Sequence, residues 1–459
     1  MHAQSTRHKL FRFVIAILTI AMLLAACNPA PTPAPPETTQ AGGSAVTEPP
    51  AAGEKEVFWF HSTNETETRR PAVEKFFKEN YPNMEVKFEV TPEGYFEKVL
   101  SQIASGDVPD MIYMHESQIL NFAHQGALMP IDDFMASKPL IGDPNQYPID
   151  VFKRDVSYKG KLYGLPMGFA VLMLRYNKNM FEEAGVTPPN ADWTWENFRE
   201  AAAKLTKDTN GDGKPDQWGW VGWWPDWLPS WWSVLRSYGG RHFNDDISAS
   251  AMTEPGSIAA LDFMRSVWCG DLRGSPSPAV NAQLDSGTVP VFEGGVAAMD
   301  YILSQNVNNA LEAIDDKFEM GIELFPTGPD GRFLRAGGTS YAIPTGSKHP
   351  EIAWELIRYL AGDEEAGKLA AEYENGNPLI RLDLVLKYNA PQGPLVEDWK
   401  RIVTDGFEKY GTVVQYAPIG EYGDIVNASM EKLGACEITA QESAQEIAEA
   451  TNQALEDIK

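Results

Sequence analysis

Tryptophan is concentrated in one short segment of the chain. Seven of the 13 tryptophans lie within the 15 residues that run from Trp218 to Trp232. A flat indole ring fits the apolar C–H face of a pyranose, and nearby carboxylates and amides fit its hydroxyl rim. The segment therefore favours sugar binding, although we expect most of the seven rings to pack in the core.

A second cluster carries the oxygen atoms that calcium prefers. Residues 208–216 place oxygen side chains at positions one, three, five and nine of a calcium-loop pattern, and Gly213 occupies the sixth position, where the backbone turns sharply. Gly219 replaces the glutamate of position twelve, so the pattern is incomplete. A structural Ca²⁺ site and a plain Asx-rich turn both stay open. The candidate ligands are Asp208, Asn210, Asp212, the carbonyl oxygen of Lys214, and Asp216.

Signatures of catalysis are weak. His115 and Glu116 begin like a zinc-protease helix, but the second histidine is missing, and the sequence has neither a phosphate-binding loop with Lys and Ser/Thr nor a Gly-x-Ser-x-Gly turn. Glycoside hydrolases also place paired carboxylates beside sugars, so a carbohydrate-active enzyme is an alternative. We expect a binding protein with no catalytic residues and no required cofactor.

The charge of the chain excludes some partners. Its 64 acidic residues outnumber its 38 Lys and Arg residues and give a formal charge of −26. Such a surface repels nucleic acid phosphates and anionic lipids. We therefore expect no nucleic acid partner, and we interpret the acidity mainly as a solubility feature of an exported protein.

Strands and helices alternate at the start of the globular region, which is typical of a parallel sheet. Ligands bind beyond the carboxyl ends of parallel strands, which directs attention to residues 61–65 and 115–118. The predicted elements are strands at residues 56–60, 84–90 and 111–114 and helices at residues 70–80 and 96–105.

The amino-terminal residues resemble a bacterial lipoprotein signal. Basic residues precede an apolar run, residues 13–26, that is too short to span a bilayer permanently. The run ends in Leu-Ala-Ala before Cys27, the position that lipobox proteins lipidate. The resemblance implies a signal peptide at residues 1–26 and a lipid anchor at Cys27 on the outer face of the cytoplasmic membrane. An ordinary secretory signal is the alternative.

Residues 27–54 follow as a segment dominated by Pro, Ala, Thr and Gly, with almost no large apolar side chain. This composition predicts a disordered tether between the anchor and the globular region. Cys269 and Cys436 are then an even pair in an oxidising location. Both a disulfide and two buried free thiols are compatible with the helical patterns that precede them.

A series of short blocks runs through almost all of the chain after the tether. Their number, order and spacing resemble the bacterial extracellular solute-binding proteins of carbohydrate ABC importers, the class that includes maltose-binding proteins. The blocks are residues 105–110, 125–128, 163–166, 176–178, 181–185, 195–198, 292–299, 337–342 and 351–360.

The resemblance implies an α/β, two-lobed, periplasmic-binding-protein-like fold of type II. About three hinge segments are expected to cross between the lobes, near Gly168, Gly337 and Ala390. Such a hinge lets the lobes close over a ligand. The expected lobes are residues 55–168 plus 342–389 and residues 169–341 plus 390–459.

The resemblance also implies which side chains face the ligand. Short polar groups that suit sugar hydroxyls are expected from both lobes, together with aromatic rings that stack on the sugar. The expected ligand-binding residues are His61, Asn64, Glu65, Glu116, Ser117, Gln118, Trp224, Trp227, Trp231, Asp300, Tyr301, Gly338, Ser340 and Tyr422.

The expected function is capture without chemistry. The chain is predicted to act as a monomeric substrate-binding component of an ABC importer, to bind a sugar, more specifically an oligosaccharide, and to deliver it to the permease subunits. The alternatives are a binding protein for another polar solute such as a polyol phosphate, and a surface carbohydrate-active enzyme or lectin.

Overall fold

The computed structural model describes residues 55–63, 69–285, 290–372, 379–420 and 422–459. The signal segment, Cys27, the tether and the candidates Asn64 and Glu65 lie outside these ranges, so those assignments stay predictions. Within the described ranges, no helix is long and apolar enough to cross a membrane.

Strands and helices alternate along most of the described chain. The strands are β1 (Glu56–Ser62), β2 (Met84–Val90), β3 (Met111–Met114), β4 (Ser157–Tyr158), β5 (Lys161–Leu162), β6 (Leu165–Pro166), β7 (Ala170–Asn177), β8 (Trp218–Trp220), β9 (Ala297–Leu303), β10 (Met320–Glu323), β11 (Leu334–Gly337), β12 (Ser340–Ala342) and β13 (Gly411–Thr412). The helices are α1 (Arg70–Asn80), α2 (Tyr95–Ser105), α3 (Glu116–His124), α4 (Asp132–Ser137), α5 (Ile149–Val156), α6 (Lys178–Ala184), α7 (Trp195–Leu205), α8 (Pro229–Ser237), α9 (Pro255–Trp268), α10 (Pro278–Asp285), α11 (Val307–Ile314), α12 (Pro350–Gly362), α13 (Glu364–Ala371), α14 (Leu382–Tyr388), α15 (Val396–Asp405), α16 (Tyr422–Gly434) and α17 (Ala440–Asp457).

The first sheet forms the centre of lobe one, with the strand order β2-β1-β3-β12-β6. β1 pairs in parallel with both β2 and β3, so the predicted strand-helix-strand start is confirmed. β12 pairs antiparallel with β3 and β6. Because β1 and β3 run parallel, their carboxyl ends, at Ser62 and Met114, lie at the same edge of the sheet.

The second sheet forms the centre of lobe two, with the order β13-β11-β7-β9-β8, and β10 pairs with β7. The chain passes from the first sheet to the second between Pro166 and Ala170 and returns between Gly337 and Ser340. Trp399 of α15 donates to the Ser304 carbonyl at 2.7 Å, which places α15 against lobe two. The fold is therefore the expected two-lobed α/β fold. Lobe one resumes at Ser340, slightly before the predicted position 342, and the other lobe boundaries stay predictions.

Buried apolar runs hold each lobe together. In β7, residues Leu172, Met173 and Leu174 are fully buried, because both faces of this strand are covered. Lobe two adds an aromatic core in which Trp220 contacts Trp223 at 5.6 Å between ring centroids, and Trp223 contacts Trp268 edge-on at the same distance. Most of the tryptophan-rich segment thus stabilises lobe two, as expected.

Cys269 and Cys436 form a disulfide with a Cα–Cα distance of 6.0 Å. The bond joins the end of α9 to the turn after α16, across 167 residues of sequence. The alternative of two free thiols is therefore excluded in this structure. A disulfide fits an oxidising compartment outside the cytoplasm.

Candidate functional site

An inner cavity of about 250 Å³ lies between the lobes, beside the two crossing segments. Lobe one contributes His115 and Glu116, where α3 begins, and lobe two contributes Trp227 and Arg335. Gly338 lies in the crossing segment and also lines the cavity. Both lobes therefore supply polar groups to one concave site. A hinge that closes two lobes over a ligand requires this arrangement.

A buried ion pair joins the lobes at the inner cavity. Arg335 Nη2 of β11 donates to Glu116 Oε1 of α3 at 2.7 Å, and both side chains are less than a tenth exposed. Tyr416 donates its hydroxyl to the same oxygen at 3.4 Å. Glu116 also occupies the first turn of α3, where the helix dipole favours a negative charge. A Cβ atom on Gly337 would lie 2.8 Å from Glu116 Oε2, so glycine makes room for this carboxylate.

An outer cavity of about 630 Å³ continues the site along lobe two and shares Leu303 with the inner cavity. Trp224 and Tyr301 line the outer cavity. The Trp227 ring lies 5.1 Å from the Tyr301 ring with an interplanar angle of 34°. This aromatic pair therefore forms a platform where the two cavities meet, and it is built to contact a flat apolar ligand face.

Three charged side chains form a cluster in the outer cavity. Arg175 donates from Nη1 to Glu293 Oε1 at 2.5 Å and from Nη2 to Asp300 Oδ2 at 2.8 Å. Its guanidinium also lies over the Phe292 ring, 4.3 Å from the centroid. Burial raises the pKa of Asp300 to about 6, even though Arg175 favours the ionised carboxylate. With two carboxylates and one guanidinium, the cluster carries a formal charge of −1 when both acids are ionised.

Lobe one places only part of the expected set in the cleft. Glu116 lines the inner cavity, whereas Ser117 lies next to it with its hydroxyl 2.8 Å from His115 Nδ1. Gln118 is half-buried on α3 and lies outside the residues that line the two cavities. The carboxyl end of β3 is thus the part of lobe one that reaches the site.

His61 requires a correction. The side chain is fully buried inside lobe one, where Nδ1 lies 2.9 Å from Gln102 Oε1 and Nε2 lies 2.9 Å from Thr91 Oγ1. This burial lowers the pKa of His61. Because both ring nitrogens are used within the lobe, His61 acts here as a packing residue between β1 and α2 and not as a group facing the cleft.

The lobe-two candidates divide between cleft and core. Trp224, Asp300 and Tyr301 line the outer cavity, and Trp227 and Gly338 line the inner one. The other three candidates are corrected, because the structure buries them away from both cavities. These are Trp231, which packs edge-on against His242; Tyr422, whose hydroxyl lies 2.9 Å from His242 Nδ1; and Ser340, which pairs with Met114 and Pro166 inside the first sheet.

Sequence reasoning missed the two arginines of the site. Arg175 lies in the buried run of β7, and Arg335 lies in the buried strand β11. A charged residue within an apolar strand is itself a signal, because a buried charge needs a partner. That signal identifies both arginines, although it does not identify Glu293 and Glu116 as their partners.

The 208–216 loop uses its oxygen atoms for backbone hydrogen bonds. Asp208 accepts from the backbone N–H groups of Gly211 at 2.7 Å and Gly213 at 2.8 Å, and Asp216 accepts from Thr209 at 2.8 Å. In the described part of the chain, no group of three or more His, Cys, Asp or Glu side chains is arranged for a metal ion. The loop thus has the Asx-rich turn, and calcium binding by Asp208, Asn210, Asp212, Lys214 and Asp216 stays a prediction.

Two α/β lobes, crossing segments between them and a polar, aromatic cleft beside those segments define a hinge-type ligand-binding protein. Comparison with known proteins identifies the family of this chain. The chain belongs to the family of bacterial extracellular solute-binding proteins, whose pattern matches its residues 62–367.

Individual relatives are distant in sequence. An arabinooligosaccharide-binding protein of Bacillus subtilis is 25% identical over 72% of this chain and 74% of its own length. The maltodextrin-binding protein MdxE of the same organism is 25% identical over 67% of this chain and 71% of its own length.

Solved structures show the same fold. An ABC substrate-binding protein from Listeria monocytogenes, in complex with cycloalternan, superposes with a TM-score of 0.72 at 22% identity, over 88% of this chain and all of that one. The sugar-binding protein MalE from Xanthomonas citri gives a TM-score of 0.72 at 21% identity, over 87% of this chain and 98% of that one.

Proposed function

We propose that this protein is the substrate-binding component of an ABC importer and captures an oligosaccharide between its lobes. The observation that carries the proposal is the aromatic platform of Trp227 and Tyr301, which lies between two cavities with charged and polar linings. Aromatic faces bind the C–H face of a sugar, and the flanking polar groups bind its hydroxyls.

The size of the site supports an oligosaccharide over a single sugar. The cavities of about 250 Å³ and 630 Å³ adjoin at Leu303, so a ligand can extend from one to the other across the platform. Relatives point the same way, since their names include binding proteins for arabinooligosaccharides, maltotriose and maltodextrin. A chain of several sugar rings is therefore the ligand that fits best.

A polyol phosphate fits the cleft less well. A glycerol-3-phosphate-binding protein of Escherichia coli is 27% identical, but over only 31% of this chain. A phosphate group requires cationic donors that are not already neutralised. In the proposed site, Arg335 pairs with Glu116, and Arg175 pairs with both Glu293 and Asp300. These pairs favour a ligand without negative charge.

Function follows from closure of the hinge. The segments that join Pro166 to Ala170 and Gly337 to Ser340 connect lobes whose facing surfaces both contribute to the cleft. A ligand that contacts both lobes stabilises the closed form more than the open form and shifts the population. The closed form then docks on the permease and releases the sugar, with no covalent step.

The location of the protein belongs to the same proposal. We infer export and lipid attachment at Cys27, with residues 28–54 as the tether and a monomeric globular region that reaches the permease. Mass spectrometry of the protein from a membrane fraction tests this assignment. A diacylated amino-terminal Cys27 supports lipid anchoring, and a mature chain that begins elsewhere without a lipid contradicts it.

The function is tested by thermal unfolding of the globular region against mono- and oligosaccharides, after refolding to remove co-purified ligand. A ligand at 100 times its Kd stabilises the folded state by about 2.7 kcal/mol. We expect a rise in Tm with one class of oligosaccharide and no hydrolysis products. The absence of a rise in Tm with every saccharide contradicts sugar binding. Cleavage of the bound sugar assigns the protein to the enzymes.

Trp227 should be a main source of affinity. The substitution Trp227→Ala removes one face of the aromatic platform, and we expect affinity for the oligosaccharide to fall about tenfold or more. Isothermal titration measures the loss. Trp231→Phe is the matched control, because Trp231 belongs to the same segment but packs in the core. Equal losses of affinity in the two variants would contradict stacking on Trp227.

A further inference from the structure

The outer cavity has an unbalanced charge. Among the described residues that line it, the ionisable side chains Arg175, Glu293 and Asp300 sum to a formal charge of −1. The remaining lining is aromatic, aliphatic or neutral polar, and it includes Trp224 and Tyr301. A concave site of this charge attracts cations and repels anions.

One carboxylate oxygen of the cluster is left without a donor. Glu293 is only 8% exposed, and its Oε1 accepts from Arg175, but its Oε2 is buried and accepts no hydrogen bond within the described part of the chain. A buried oxygen of this kind costs free energy until a donor reaches it. A small movement of the Glu293 side chain on ligand binding would expose this oxygen to the cavity that Glu293 lines.

Asp300 is the second carboxylate of the cluster. Its Oδ2 accepts from Arg175 and its Oδ1 from its neighbouring backbone N–H at Tyr301. Burial and the charge of Glu293 raise the pKa of Asp300 to about 6, against the opposing effect of Arg175. With both carboxylates ionised, the cluster has two negative groups and one guanidinium, and this excess favours a further positive charge.

We propose that the outer cavity recognises a protonated amino group on the saccharide, held by the free oxygen of Glu293 next to the Arg175–Asp300 pair. The inference rests on the proposed function and narrows it to oligosaccharides that carry a basic nitrogen. An ammonium group supplies both the N–H donors that Glu293 can accept and the positive charge that balances the cluster. A neutral hydroxyl supplies a donor without the charge.

The aromatic surroundings suit the same ligand. Trp224 and Tyr301 line the cavity beside the carboxylates, so the body of an amino sugar can lie on their rings while its nitrogen reaches the acids. A cation is also attracted to an aromatic face. Position and charge thus select for an amino sugar unit at the outer end of the ligand.

Matched pairs of saccharides test the proposal by isothermal titration at pH 7. The β-1,4-linked trisaccharide of glucosamine is compared with two neutral trisaccharides, cellotriose and the β-1,4-linked trisaccharide of N-acetylglucosamine. We expect the amine to bind about tenfold tighter than either neutral partner. Asp300→Asn and Glu293→Gln should each bring that ratio close to one.

Glu323→Gln provides the control variant. Glu323 of β10 is a largely buried carboxylate paired with Arg401 in the same lobe, outside the residues that line the cavity. This variant loses an ion pair but should keep the preference for the amine. Measuring Tm for every variant separates loss of folding from loss of recognition.

The outcomes distinguish recognition of the amino group from sugar binding itself. If saccharides bind but a neutral saccharide binds as tightly as the amine or more tightly, the inference about the amino group is overturned while sugar binding stands. If Glu323→Gln abolishes the preference as fully as Asp300→Asn does, the cavity carboxylates are not its source. If no saccharide binds, the proposed function fails as well.

Discussion

Arg335→Met should lower the free energy of unfolding by about 3–5 kcal/mol, because it leaves Glu116 as a buried charge without its cation. The ion pair joins α3 of lobe one to β11 of lobe two, and both of its side chains are less than a tenth exposed. Loss of the guanidinium therefore destabilises the contact between the lobes. Urea unfolding followed by tryptophan fluorescence measures the change.

Two further variants show whether burial of the charge is the cause. Adding Glu116→Gln to Arg335→Met removes the unpaired charge and should recover part of the lost stability. Arg241→Met breaks the pairs with Asp245 and Glu254, whose side chains are 91% and 40% exposed, and should cost only about 1 kcal/mol or less. Equal losses in both arginine variants, or no recovery in the double variant, would contradict the argument.

Removal of the disulfide should be the second large effect. We expect the double variant Cys269→Ser/Cys436→Ser to be less stable by about 2–5 kcal/mol, since the bond closes a long loop and restricts the unfolded chain. The two cysteines are 167 residues apart, and the restriction of the unfolded chain increases with the length of the loop that the bond closes. Thermal unfolding with and without a reducing agent measures the effect.

The double variant also serves as the control for this prediction. A reducing agent should lower the Tm of the native protein towards that of the double variant and leave the variant itself unchanged. A native Tm that does not respond to reduction, under conditions in which free thiols appear by chemical labelling, would contradict a stabilising role for the bond.

Much of the fold was predictable because local patterns agree with it. The alternating strands and helices at residues 56–114 predicted the parallel strands β1, β2 and β3, and these pair as expected. The short blocks predicted the family and two lobes, and both are confirmed. The strands follow from side-chain periodicity, which acts over a few neighbouring positions, whereas the family and the two lobes follow from the resemblance that the blocks carry.

The site was only partly predictable because a side chain's direction depends on distant packing. Trp227 and Trp231 are four residues apart in one aromatic segment, yet Trp227 lines the inner cavity and Trp231 lies fully buried against His242. The sequence predicted His61 in the loop after the first strand, but His61 lies within β1, and Gln102 and Thr91 hold its ring inside lobe one. Sequence spacing could not distinguish a side chain that faces the cleft from one that packs in the core.

The sequence by itself determined the order of strands and helices at the start of the globular region, which periodicity carries locally, and the family and fold class, which the resemblance of its short blocks carries. Only the tertiary structure decided which charges meet. Glu116 and Arg335 are 219 residues apart, and Arg175 and Asp300 are 125 apart. Cys269 and Cys436 likewise come together only after the helices that carry them have packed. The physical reason is that ion pairs and disulfides require contact in space, and that contact is set by the packing of whole lobes.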